Sequence, residues 1–226
     1  FARSMLPSSH VFWTSLWSRL LLGLAAGALC FVVVAANLEI ARRLAPAFRT
    51  DATGDVIEPK SEPLRRHAGA IGLAVSALVS VAAGVAASSA WLTFRKALAA
   101  TGFGVDDPLF GHDLGFYVFS VPAWHAVQSF ALFVLLAALV LSALMHLVLG
   151  GIEYHVKAPG AAGEPASPPP ARPGAYVRSQ VDVHLGGRAI AHLSALLAAV
   201  FVVVGVGQLF RAWGLLYSTA GATLAP

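Results

Sequence analysis

Charge is scarce in this chain. Lys and Arg number 15 and Asp and Glu 11, together 12% of 226 residues, against roughly 25% in an ordinary soluble domain. So few charges cannot clothe a compact domain in water, and the mean hydropathy of +0.74 points to a lipid-facing exterior. Cysteine is nearly absent. Cys30 stands alone within an apolar run, which excludes a disulfide framework and a paired-cysteine zinc site and leaves it as a small residue facing lipid or a neighbouring helix. No phosphate-binding glycine loop, nucleophile elbow, zinc-protease helix or dinucleotide fingerprint is found, and Gly102-Phe103-Gly104 is too short to count as one. No signal peptide precedes the first apolar run, and the chain begins with Phe1, so it reads as a piece of a longer protein.

What is present is apolar length. Four uncharged stretches, within 20–38, 68–94, 114–152 and 189–210, are long enough for a hydrocarbon core about 30 Å thick, which takes roughly 20 helical residues. Backbone groups in lipid must be satisfied within their own segment, so such runs mean helices. The expected spans are 12–42, 68–94, 122–150 and 189–210, with Pro122 opening the third and Gly150-Gly151 closing it. The fold class is therefore all-α, a polytopic transmembrane helical bundle with four spans in this chain.

The ends of the runs are marked by tryptophan and by base. Trp13, Trp17, Trp91, Trp124 and Trp213 all fall on one side if the helices alternate, at the interface that tryptophan prefers. Arg42, Arg43, Arg49, Lys60, Arg65 and Arg66 follow the first span, and Lys157, Arg172, Arg178 and Arg188 follow the third. Only Arg3, Arg19, Arg95, Lys96 and Arg211 lie opposite. The positive-inside rule then puts the two basic loops in the cytoplasm and both chain ends outside. The formal charge of +4 and pI near 9.6 are explained by bases beside apolar runs facing lipid headgroups, and no aromatic-basic repeat suggests nucleic acid. Residues 158–175, APGAAGEPASPPPARPGA, form a Pro/Ala/Gly linker that cannot bury a core. Residues 50–63 mix Asp51, Asp55, Glu58 and Glu62 with bases and read as solvated coil.

The segment between the second and third spans, residues 101–124, reads TGFGVDDPLFGHDLGFYVFSVPAW. It resembles the hallmark of uncharacterised protein family 0182, large bacterial multi-pass membrane proteins, whose pattern is approximately FGxxDPxFGxDxxFYxFxLP. The matching positions are Phe103, Gly104, Asp107, Pro108, Phe110, Gly111, Asp113, Phe116, Tyr117, Phe119 and Pro122, with Val121 in place of the usual Leu. VFWTSLWSRLLL at 11–22 and WGLLYSTAGATLAP at 213–226 are similar to the family's approach to an early span and exit from a later one. The resemblance implies about seven spans followed by a large extracytoplasmic domain in a bacterial plasma (inner) membrane. It implies no activity, cofactor or ligand.

The chemistry-bearing residues are few. Asp106, Asp107, His112 and Asp113 would offer a hard cation several oxygens, but the alternate-position carboxylates of a calcium loop are missing. The expectation is a turn opened by Asp107 before Pro108 and a segment capped by Asp113. Phe110, Phe116, Tyr117 and Phe119 fit an amphipathic stretch at the outer interface. His146 and His192 both lie toward the cytoplasmic ends of their spans. Facing histidines can ligate a haem or relay a proton, and local hydrogen bonding is the expected use here. Gly23 and Gly27 form a GxxxG pair that favours close helix packing within the bundle, with a homodimer seam as the alternative. No span carries Asp, Glu, Lys or Arg near its middle, and the other polar groups are Asn37, Gln128, Gln208 and scattered serines.

These readings converge on an integral membrane protein, the anchor or scaffold part of a larger protein with an extracytoplasmic domain. A transporter or channel component and a membrane enzyme are the alternatives, the enzyme disfavoured by the missing catalytic constellation. No cofactor and no metal are expected. The lipid bilayer is the expected partner, with a second copy or other membrane subunits left open.

Overall fold

A computed structural model describes residues 7–45, 49–50, 56–57, 62–150, 152–157 and 180–214. Its helices are α1 (Pro7–Leu44), α2 (Glu62–Ser88), α3 (Trp91–Leu98), α4 (Val121–Val148) and α5 (Gly187–Gly214). A π-helical turn, Phe116–Ser120, leads directly into α4. Four of these helical segments are long and apolar enough to cross a membrane: Val11–Leu44, Arg66–Ser88, Phe116–Val148 and Gly187–Gly214. The chain is an all-α bundle with four candidate spans.

Helix α1 is the centre of the bundle. It packs on α2 and α4, and α4 packs on α5. Cys30, Val34 and Leu38 of α1 meet Ala83 of α2 and Val134 of α4 in the apolar core, so Cys30 faces helices and not lipid. The side chains turned outward are large and apolar, such as Leu78, Val85 and Val202. In water that would be a heavy penalty. In hydrocarbon it costs nothing, and association rests instead on close packing.

Glycine supplies that packing at the α1–α2 crossing. A Cβ on Gly84 would lie 2.6 Å from the carbonyl oxygen of Gly23, and one on Gly27 would lie 3.1 Å from that of Ser80. The GxxxG pair of α1 is therefore spent inside the chain. On the other side of the bundle, Gln128 of α4 fills the notch left by Gly207 of α5, where its Nε2 reaches toward the Val203 carbonyl at 3.5 Å.

Helix α1 starts before the expected residue 12 and α5 runs past the expected residue 210, and two further boundaries differ from the sequence reading for a local reason. The second span ends at Ser88, short of 94, because Ser88 and Ser89 turn their hydroxyls back onto the carbonyls of Val85 and Ala86. Such bonds compete with the helix ladder, and the chain turns at Ser89-Ala90 before α3 begins. The third span starts upstream of Pro122. Proline lacks the N–H that an α-helix would use there, and the backbone N–H of Val121 bonds instead to Phe116 O in the wider π register. At the far end, Gly150 adopts a φ of +82° and stops α4, the left-handed cap that glycine provides without strain.

Two short antiparallel ladders join helix ends. Strands β1 (Arg49–Thr50) and β2 (Val56–Ile57) pair within the segment read as solvated coil. Strands β3 (Ile152–Lys157) and β4 (Gln180–Leu185) pair from Ile152 opposite Leu185 to Lys157 opposite Gln180. Alternation over so few residues gave no sequence signal amid the charges. The linker 158–175 lies outside the described residues.

Candidate functional site

The bundle has two polar centres, one at each end. The first is the loop carrying the sequence motif, at the end where Trp91, Trp124 and Trp213 collect. Asp107 is 6% exposed. Its carboxylate accepts the backbone N–H of Phe110 at 2.8 Å and of Leu109 at 3.3 Å, and the hydroxyl of the buried Tyr117 at 3.0 Å. Its main chain closes the same turn, the N–H bonding to His112 O and the carbonyl accepting from Gly111 N. Asp113 accepts from Phe103 N at 3.0 Å, Gly104 N at 2.8 Å and Gly115 N at 2.6 Å. One carboxylate thus closes the 107–112 turn, and the other staples the strand-like start of the loop to the helix that follows.

The glycines of the motif are backbone requirements. Gly104 and Gly111 have φ of +68° and +67°, a region that side chains disfavour. A Cβ on Gly115 would sit 2.5 Å from the Thr101 carbonyl oxygen. The aromatic members pack around this frame. Phe116 tilts against His112 at 4.7 Å and meets Trp213 of α5 edge-on at 5.3 Å, while Phe119 tilts against Phe103 at 5.8 Å. Phe110 and Pro108 remain exposed, and Pro122 sits at the π-to-α transition.

Both carboxyls are held below the ordinary carboxylate value. For Asp107 burial is the largest influence and pushes upward, but the N–H donors of Phe110 and Leu109 and the Tyr117 hydroxyl outweigh it. For Asp113 the N–H donors of Phe103 and Gly115 lead, ahead of burial, which opposes them. A carboxylate surrounded by donors is satisfied as an anion. This is chemistry spent on holding the chain, and among the described residues no group of three metal-ligating side chains forms.

The second centre joins three helices near the basic end. His146 of α4 lies with its Nε2 3.2 Å from Nδ1 of His192 on α5, and His192 Nε2 lies 3.2 Å from Asn37 Oδ1 on α1. Protons can be assigned from the network. Asn37 donates its Nδ2 to Val33 O at 2.8 Å, which leaves Oδ1 as the acceptor facing His192. The proton of a neutral His192 is then on Nε2, its Nδ1 is the acceptor, and His146 donates from Nε2. His146 Nδ1 is left bare, buried and without a hydrogen-bond partner, as is Ser142 Oγ one turn away. The histidines touch each other directly, ring centroids 5.5 Å apart, and do not flank an opening for a porphyrin.

The sequence pointed to both histidines but not to Asn37 as the third member. The only signal was polarity, one amide in an otherwise apolar stretch of α1. Gln128 carries the same signal, and it fills the Gly207 notch and reaches toward the Val203 carbonyl.

The family described as Uncharacterised protein family (UPF0182) matches residues 4–225. The chain belongs to that family. A UPF0182 protein of Saccharopolyspora erythraea is 33% identical over 166 residues, covering 70% of this chain and 16% of that protein. UPF0182 proteins of Mycobacterium bovis and Mycobacterium leprae are each 33% identical over 143 residues, or 63% of this chain and 14% of theirs. The chain therefore spans about one-seventh of the length of the curated UPF0182 relatives it matches. No solved structure matches it.

Proposed function

We propose that this region is the membrane anchor and scaffold of a larger UPF0182 protein, holding an extracytoplasmic domain supplied by the remaining sequence. The observation that carries the reading is the absence of charge from the middle of all four spans. Glu39, Arg42, Arg43, Arg66, Arg188 and Arg211 lie near helix ends, and Arg19 stands just before the uncharged run of α1, two residues after Trp17, whereas transport sites are usually built from charges or broken helices at the midplane. The relatives' greater length is consistent with a domain beyond the bundle. The membrane is the bacterial plasma membrane, with both ends of this region outside and the basic loops in the cytoplasm.

A transport or proton-path role is the second reading, favoured by the Asn37–His192–His146 chain and its bare acceptor. A full-length protein carrying Asn37→Leu, His192→Leu and His146→Leu together separates the two. The anchor reading expects it to complement a gene deletion in proportion to its membrane level. Parent-level accumulation with no complementation contradicts the anchor and supports the path. Orientation is tested with single cysteines in intact cells, Cys30 being buried. Impermeant thiol reagents should label Leu109→Cys and spare Gly54→Cys and Ala166→Cys, and the opposite pattern reverses the topology.

A further inference from the structure

The lipid-facing crossing of α1 and α2 is not flush. A groove of about 640 Å³ runs along it, walled by Leu16, Leu20, Leu24, Phe31, Val81 and Val85 and floored by Gly23, Gly27 and Gly84. The glycines that let the helices touch also leave no side chains to fill the cleft above them.

The groove is polarised along its length. Arg19 lines one end, its guanidinium 5.4 Å above the ring of Trp91, at the tryptophan-rich end of the bundle. Among the described residues no carboxylate pairs with Arg19, the ion pairs being those of Glu39 with Arg42 and Arg43. Inward from Arg19 the lining makes no polar demand. Ser80 and Ser88 already donate to the carbonyls of Ser76 and Val85. From Arg19 to Phe31 is about 18 Å at the helical rise of 1.5 Å per residue, close to one leaflet of a hydrocarbon core about 30 Å thick.

We propose that this groove is a binding site for a single glycerophospholipid, its phosphate on Arg19 and one acyl chain laid over the glycine floor toward Phe31. An unpaired cation at headgroup level above an apolar channel one leaflet deep is complementary to an amphiphile with an anionic head. A neighbouring helix would cover the apolar channel but would have to bring a carboxylate of its own to Arg19, whereas a phospholipid carries chain and anion in one molecule. Arginine suits the role because its planar fork binds phosphate oxygens in pairs. The bound lipid would fill the space where α1 and α2 are held apart only by backbone.

The test uses the full-length protein in liposomes containing phosphatidylglycerol with a photoactivatable group on its acyl chain. Labelling should concentrate on the peptides around Leu24–Phe31 and Ala77–Val85, above the level at the lipid-facing Phe201 and Val202 of α5. Arg19→Gln should lower the groove labelling about fivefold, the factor expected for one cation at an anionic membrane surface, without changing α5 labelling. Ala28→Trp, at an exposed position of the groove, should reduce groove labelling to the α5 level. If that variant does not accumulate, Ala77→Trp on the facing helix replaces it. Groove labelling no stronger than at α5, or unchanged in Arg19→Gln, overturns the proposal. So does a cross-link from Ala28→Cys to another segment of the protein or to a second copy.

Discussion

At the tryptophan end of the bundle, every carboxylate oxygen of Asp107 and Asp113 is met by a backbone N–H or by the Tyr117 hydroxyl. At the basic end, Asn37, His192 and His146 form a line of bonds that stops at a bare nitrogen. The first arrangement is closed and local, its partners within about ten residues of one another. The second is open and draws on three helices far apart in sequence. The difference teaches where to look for chemistry. The long motif carries the family resemblance, and its two bonded carboxylates are consumed in folding a loop. The inconspicuous histidines retain an unused acceptor.

The largest effect that would sharpen this contrast is expected at the loop. Tyr117→Ala removes a buried ring as well as a hydroxyl, and truncations of that kind cost about 3–5 kcal/mol. Tyr117→Phe keeps the ring, removes the hydroxyl that bonds Asp107 and should cost about 1 kcal/mol. Thermal melts in detergent, with membrane yield alongside, distinguish them. Equal melting of both variants and the parent would mean that the loop is not a folding element.

Next is the α1–α2 crossing. Gly84→Val forces side-chain atoms against the Gly23 carbonyl and should cost about 1–3 kcal/mol as an overpacked contact. Val85→Ala, one position on and facing outward, should be nearly silent, because lipid replaces the lost methyl groups. If the two melt alike, the helices do not cross at Gly84.

The histidine chain should behave as a unit of similar or smaller size. His192→Leu leaves Asn37 Oδ1 and His146 Nε2 without partners, at about 1–3 kcal/mol for a buried group left unmet. Replacing Asn37, His192 and His146 together with Leu removes all the orphaned groups. It should cost less than the sum of the three single substitutions. Additive costs would show that the three side chains are not bonded to one another.

The smallest effect is pH dependence. The folded loop holds both aspartates below their ordinary value of 3.8. Their contribution is therefore complete above that value and fades as pH falls through the lowered folded values. Melting temperature should be insensitive to these groups near neutrality and decline below pH about 4. Asp113→Asn should flatten that acid limb, and an unchanged limb would contradict the bonding described.

How much of this was legible in the sequence depended on how local the physics is. The spans follow from apolar length alone, and the stop at Gly150 from a glycine pair after an uncharged run. The turn at Asp107-Pro108 is likewise a short-range affair. The break after Ser88 was hidden because Ser89 and Ala90 do not interrupt the hydropathy. The pairing of Asn37 with His192 was hidden more deeply. The spans are apolar all round, so no face of α1 or α5 announces which neighbour it will meet. That rotation is set by small-residue contacts such as Gly84 on Gly23. Hydrogen bonds within the membrane then follow from packing and do not direct it.

On this reading the motif loop and the bundle beneath it are architecture serving a larger protein. The most direct measurement is complementation plotted against membrane level in cells expressing full-length Tyr117→Phe, Asp107→Asn and the triple Asn37, His192 and His146→Leu variant. The account predicts one line, with every loss of function matched by loss of accumulated, normally melting protein. A variant that accumulates and melts like the parent yet fails to complement would contradict it, and would mark its own residues as the functional site.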